Sequence, residues 1–190
     1  MKKRTQTVVG LGLLTALVAV LQALAISIRF GVFNITLVLV PIIVGAALYG
    51  WMAGAWLGLI FGIIVLVTDA GVFLAVNVPG TIITCILKGV AAGAIAGLVY
   101  RAVSRKNKLF AVVLAGIAAP VTNTGIFLIG CRLFFYETIR SWAAAAGMEN
   151  AGAYMIVGLV GINFVVELAI NLVLSTAIVQ IINIAIKNKE

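Results

Sequence analysis

The sequence predicts an all-α membrane protein, a single bundle of six transmembrane helices over residues 1–190 with both termini on the cytoplasmic side. Three observations predict it. Of the 190 residues, 64% are hydrophobic and 9% are charged, whereas a soluble domain carries about 45–50% apolar and about 25% charged residues. The mean hydropathy is +1.28, so too few polar groups exist to cover a surface in water. The apolar residues also gather into runs of membrane-crossing length, with basic residues at their ends.

The first run, 7–28, follows Lys2, Lys3 and Arg4 in the manner of a secretory signal. It is longer than the ~7–15-residue core of such a signal, and no small-residue cleavage site leads into a polar mature chain, which predicts a retained first helix. Runs 35–50 and 52–69 are short for a span and are separated only by Tyr49-Gly50-Trp51. Gly50 suits a tight turn there, and the two rings suit an interface. Spans at 81–101, 109–131 and 153–187 complete the set, the last long enough for Ile184 to Lys189 to project into the cytoplasm. Nine of the thirteen basic residues then fall on the side of the termini: Lys2, Lys3, Arg4, Arg101, Arg105, Lys106, Lys108, Lys187 and Lys189. Short positive loops stay inside, which sets the orientation.

Three outer connections are longer and more mixed. Segment 29–34 links the first two spans. Segment 70–80 holds Val72, Phe73, Leu74 and Val76 with few charges, and either folds over the bundle mouth or lies at headgroup level. Segment 132–152 has helical periodicity with Phe134, Phe135, Ile139 and Trp142 on its apolar side, predicting an amphipathic helix that ends near Gly147.

Polar residues inside the spans point to function, because each costs a few kcal/mol in lipid. Asn163, Glu167 and Asn171 repeat at every fourth position, forming one stripe of the last helix. Thr122, Asn123 and Thr124 follow Pro120 in the fifth span, and Thr81, Thr84 and Lys88 share a face of the fourth. At ~1.5 Å per residue, Lys88, Asn123 and Asn163 lie ~10, ~12 and ~15 Å below the outer ends of their helices. Three helices thus offer polar groups at one level, as a solute pocket open to the outside requires. The plainer alternative is that Asn and Glu hold helices together and Lys88 neutralises Glu167.

Small residues form further stripes. Gly12, Ala16, Ala19 and Ala23 share a face of the first helix; Gly50, Gly54, Gly58 and Gly62 recur in the third, and Gly89, Gly93 and Gly97 in the fourth. Such stripes let helices approach closely, within the bundle or against a partner.

The residue inventory excludes several chemistries. Without histidine, serine–histidine proteolysis and histidine-ligated metal sites fail. Asp69 is the single aspartate, too few for alcohol phosphotransfer. Cys85 and Cys131 lack metal-ligand spacing and read as two membrane thiols. No phosphate-binding GxxxxGK[ST] occurs. The expectation is a non-enzyme without cofactor or metal, and the net charge of +8 is read as topology information rather than as a nucleic-acid surface.

The stretch NITLVLVPIIVGAALYGWMAGAWLGLIFGI (34–63), with APVTNTGIFLIG (119–130) and NFVVELAINLVLS (163–175), is similar to the S components, the substrate-binding membrane subunits of energy-coupling factor (ECF) transporters. The resemblance extends over nearly the whole chain and is to the vitamin-uptake branch that includes the pantothenate, riboflavin and cobalamin subunits. It implies capture of a vitamin near the outer face under the first, third and fifth loops, best matched here by pantothenate. It also implies association with a T component and two ATPases through the alanine face Ala16, Ala19 and Ala23, and a subunit that topples in a bacterial cytoplasmic membrane. The substrate-binding residues expected are Lys88, Asn123, Asn163, Glu167, Asn171 and Thr84. The competing expectations are a six-span scaffold of the cell-shape or division machinery, a stand-alone carrier, and another micronutrient such as riboflavin or cobalamin as the substrate.

Overall fold

The computed structural model describes residues 2–25, 29–30, 33–34 and 37–187. The centre of the 29–34 connection and Lys189 of the tail lie outside the described residues. Helix α1 spans Lys2–Ala25, α2 Leu39–Tyr49, α3 Trp51–Thr68, α4 Gly71–Leu74, α5 Val78–Val103, α6 Lys108–Phe134, α7 Tyr136–Ala145, α8 Ala151–Tyr154 and α9 Gly161–Lys187. A π-helical turn, Met155–Val160, joins α8 to α9. Strands β1 (Arg29–Phe30) and β2 (Phe33–Asn34) form a minimal antiparallel pair, with Arg29 opposite Asn34. Among the described residues the rest of the regular structure is helical, in agreement with the all-α expectation.

Among the described residues, five helices are long and apolar enough to cross a membrane: Thr5–Leu24, Trp51–Thr68, Val78–Val103, Lys108–Phe134 and Asn163–Ile184. Leu39–Tyr49 and Ala151–Val160 are shorter apolar helices. The expected span at 35–50 thus contains a helix of only 11 residues, ~17 Å long against a ~30 Å hydrocarbon core. Its residues Leu39 and Pro41 to Ala46 are buried, so neighbouring helices rather than lipid surround it. The continuous span expected at 153–187 is instead interrupted. At Gly161 the backbone turns to φ 36° and ψ −131°, a conformation that glycine adopts without Cβ strain, and regular α-helix begins again there.

Helix starts follow local chemistry. Asn77, Asn107 and Asn150 each turn a side-chain oxygen onto the opening turn of α5, α6 and α8, accepting from the backbone N–H of Gly80 (2.9 Å), Phe110 (3.0 Å) and Gly152 (2.8 Å) respectively. Gly50, at φ 93°, makes the sharp reversal between α2 and α3.

The most extensive helix contacts are α3 with α5 and α5 with α6. The α3–α5 seam explains two glycine stripes: Gly54 lies against Gly93, Gly58 against Gly89, and Gly62 against Cys85, backbone on backbone. These stripes are internal packing surfaces. Gly97 meets Trp51, while Gly50 belongs to the turn and Gly12 faces open space. Cys85 and Cys131 are buried free thiols.

The 132–152 segment contains the expected amphipathic helix, α7, which ends before Gly147 at φ 72°. Ile139 and Ala143 are buried, and so is Phe135 at its start, whereas Phe134 is exposed. The 70–80 segment folds inward: α4 places the Phe73 ring edge-on to Phe127, Phe135 and Trp142, at 5.7, 5.0 and 5.7 Å. Phe73 thereby ties α4 to α6 and α7 above the bundle.

Candidate functional site

Beneath that aromatic cluster lies a cavity of about 160 Å³, lined by Lys88, Asn123, Thr124, Phe127, Leu159, Val160, Asn163, Phe164 and Glu167. A second lobe of about 140 Å³ is lined by Gln22, Phe61, Val65 and Asp69, together with the same Lys88, Asn123, Asn163 and Glu167. The four shared residues form a common polar wall. Helices α1, α3, α5, α6 and α9 converge on it.

Each element delivers its group for a local reason. Lys88 sits one position before Gly89, where α5 runs against α3 with no intervening side chains. Its ammonium lies 5.8 Å from the centre of the Phe61 ring and 5.4 Å from that of Phe127, within the ~6 Å reach of cation–π attraction. Two aromatic faces therefore hold the charge in place, and among the described residues no carboxylate forms an ion pair with it. Asn123 and Phe127 are one turn apart on α6, so polar and aromatic contacts come from the same stripe. Asn163 and Glu167 are one turn apart on α9, immediately after the Gly161 break that aims the helix.

Of the six residues singled out by sequence, Lys88, Asn123, Asn163 and Glu167 meet at this cavity. Thr84 and Asn171 line neither lobe. Thr84 is buried against Gly130 of α6, where the lack of a Cβ lets the two helices close. Asn171 is buried beside Gly116, one turn deeper in the bundle than Glu167. Both obey the periodicity of their stripes, but the cavity ends before it reaches them.

Gln22 was not anticipated. It is 1% exposed, and its Nε2 donates to Asp69 Oδ2 at 2.8 Å, while Thr68 Oγ1 donates to the same oxygen at 3.0 Å. An isolated glutamine within an apolar run was the available signal. The aromatic walls Phe61, Phe127 and Phe164 carried no signal at all, since apolar residues in a span look alike in sequence.

The alanine face of α1 lies elsewhere. Leu11, Thr15, Val18 and Gln22 form the inward stripe, Val18 being fully buried, whereas Ala16 and Ala23 are exposed and Ala19 is half-buried. One helix thus presents a polar contact to the cavity and a small-residue surface to the outside.

Residues 6–179 match the sequence profile of the ECF transporter, substrate-specific component. The chain belongs to that family. It is 29% identical over 168 residues to the pantothenic acid transporter PanT of Lactococcus lactis subsp. cremoris (strain MG1363), the match covering 80% of each chain. No solved structure matches. As an ECF substrate-specific component the protein is a multi-pass cell-membrane subunit of a transport system, and a family of this kind works with an energising module. The cavity walled by Lys88, Asn123, Asn163 and Glu167 is its candidate solute site.

Proposed function

We propose that the protein captures pantothenate from the outer face and delivers it to an energising module made of a T component and two ATPases. The observation that carries this is the meeting of Lys88 with Asn123, Asn163 and Glu167 around one cavity. An ammonium held between two rings suits a carboxylate, which gains a charge-assisted bond with it. The amides of Asn123 and Asn163 and the carboxylate of Glu167 suit hydroxyl and amide groups of the same molecule. The Lactococcus lactis relative, a pantothenic acid transporter, agrees with that chemistry. Each lobe is smaller than the ~300–1,000 Å³ of a common ligand pocket, so the bound ligand occupies both and displaces the side chains between them.

In this reading the whole chain is one bundle with six crossings, α2 contributing to a short second crossing, and both termini are cytoplasmic. The basic connection Arg101, Arg105, Lys106 and Lys108 supports that orientation. The exposed Ala16 and Ala23, with Ala19 beside them, support docking of the T component along α1. Riboflavin- or cobalamin-type substrates fit the lysine less well, because neither requires a carboxylate contact.

Thermal unfolding of the purified protein against a panel of vitamins tests the substrate. A ligand at 1,000 times its Kd stabilises by about 4 kcal/mol, so pantothenate should raise the unfolding temperature while riboflavin and cobalamin leave it unchanged. Stabilisation by riboflavin or cobalamin, with none by pantothenate, would overturn the substrate assignment.

A further inference from the structure

We propose that Gln22 of α1 is a ligand-contacting, specificity-determining residue, and that with Asn123 it selects an acid carrying hydrogen-bond donors remote from its carboxylate. This rests on the substrate reading above and sharpens it.

Gln22 lines the lobe that also holds Lys88 and Asn123. Its amide has one defensible orientation. Nε2 faces Asp69 Oδ2 at 2.8 Å, and the flipped amide would set two oxygens with partial or full negative charge against each other. The donor end is therefore committed to Asp69, which Thr68 holds from the other side. The acceptor end, Oε1, is buried and has no hydrogen-bond partner among the described residues. Asn123 Oδ1, in the same lobe, is also buried and without a partner among them. Buried carbonyl oxygens are nearly always satisfied, and two in one cavity call for a ligand that brings the missing donors.

Lysine offers only donors, and the two amide oxygens offer only acceptance. The complementary molecule carries an anionic group at one end and two donors, hydroxyl or amide N–H, at the other. A fatty or dithiolane acid has the first without the second, and a neutral polyol has the second without the first. Pantothenate meets both requirements, with its carboxylate on one half and its two hydroxyls on the other. The consequence for selection is large, because a site that leaves buried acceptors unpaired rejects the analogue that lacks the donors.

The test is a thermodynamic cycle read by titration calorimetry in detergent. Wild-type protein and Gln22→Met are each titrated with pantothenate and with the analogue whose two hydroxyls are replaced by hydrogen. The wild type should lose about 100-fold in affinity on the ligand change, and Gln22→Met should lose at most about 10-fold, because one of the two acceptors is already gone. Should Gln22→Met fail to fold, Gln22→Asn, which keeps the amide but withdraws its carbonyl by one methylene, is carried through the same cycle. An equal loss in wild type and variant would overturn the contact while leaving pantothenate as the substrate. No binding of pantothenate by the wild type would overturn the substrate and the contact together.

Discussion

Gly58→Ala tests the seam on which the site is built. A Cβ at Gly58 would overlap the carbonyl oxygen of Gly89, sit 2.6 Å from that carbonyl's carbon, and lie 3.2 Å from the Val90 nitrogen. These are helix backbone atoms, so no side chain can rotate aside. Restoring ordinary contacts of ~3.5 Å requires α3 and α5 to part by roughly 1–1.5 Å, and a gap of even ~1 Å forfeits about half of each dispersion well along the stripe. Overpacking of this kind costs about 1–3 kcal/mol, and the better helix propensity of alanine offsets about 0.5–1 kcal/mol. The net loss of about 1–2 kcal/mol corresponds to about 2–8 °C for a chain of this size. Parting the helices also moves Lys88 on α5 from Phe61 on α3, so ligand affinity should fall as well. Thermal unfolding in detergent, with and without ligand, reads both effects. Gly12→Ala is the control, since a Cβ there meets nothing within 4 Å; its unfolding temperature should stay level or rise. A Gly58→Ala protein as stable as wild type, or a Gly12→Ala protein equally damaged, would refute the backbone-on-backbone seam.

Lys88→Met should weaken pantothenate binding about 10- to 150-fold, the worth of a charge-assisted hydrogen bond of about 1.5–3 kcal/mol. Calorimetry with the alcohol analogue that lacks the carboxylate should show almost no further loss. Ala16→Trp should leave that binding intact and abolish uptake by cells or vesicles containing the energising module, because the ring blocks close helix approach on an exposed face. Phe73→Ala removes the ring that joins α4 to Phe127, Phe135 and Trp142; stopped-flow measurement should show ligand release accelerated about tenfold, from aromatic contacts worth about 0.5–1.5 kcal/mol each. Gly161→Ala forces a Cβ into φ 36° and ψ −131° and should cost about 1–3 kcal/mol, with binding weakened because Leu159, Val160 and Asn163 lie beside that break.

Much of the site was legible because lipid makes polar residues conspicuous. Lys88, Asn123, Asn163 and Glu167 stand out against apolar neighbours, and a count of ~1.5 Å per residue sufficed to set three of them at one depth. Gln22 stands out by the same criterion, but a single residue has no stripe to give its direction. Thr84 and Asn171 mark the limit of periodicity, which assigns a face and says nothing about where along that face the two lobes stop. The helix at 136–145 and its end near Gly147 were likewise legible, since amphipathic spacing and a glycine stop are local signals.

Composition by itself determined that lipid is the solvent, that the chain is helical, and which polar groups need an interior, because the cost of burying a charge or an unpaired amide depends only on residue type and medium. Tertiary structure alone decided that the second run shortens to an enclosed 11-residue helix, that the last run breaks at Gly161, and that Phe61, Phe127 and Gln22 join the lysine. Those outcomes depend on which backbones pack against each other in three dimensions. An apolar side chain carries no mark, in its identity or its spacing, of whether it faces lipid, a neighbouring helix or a cavity.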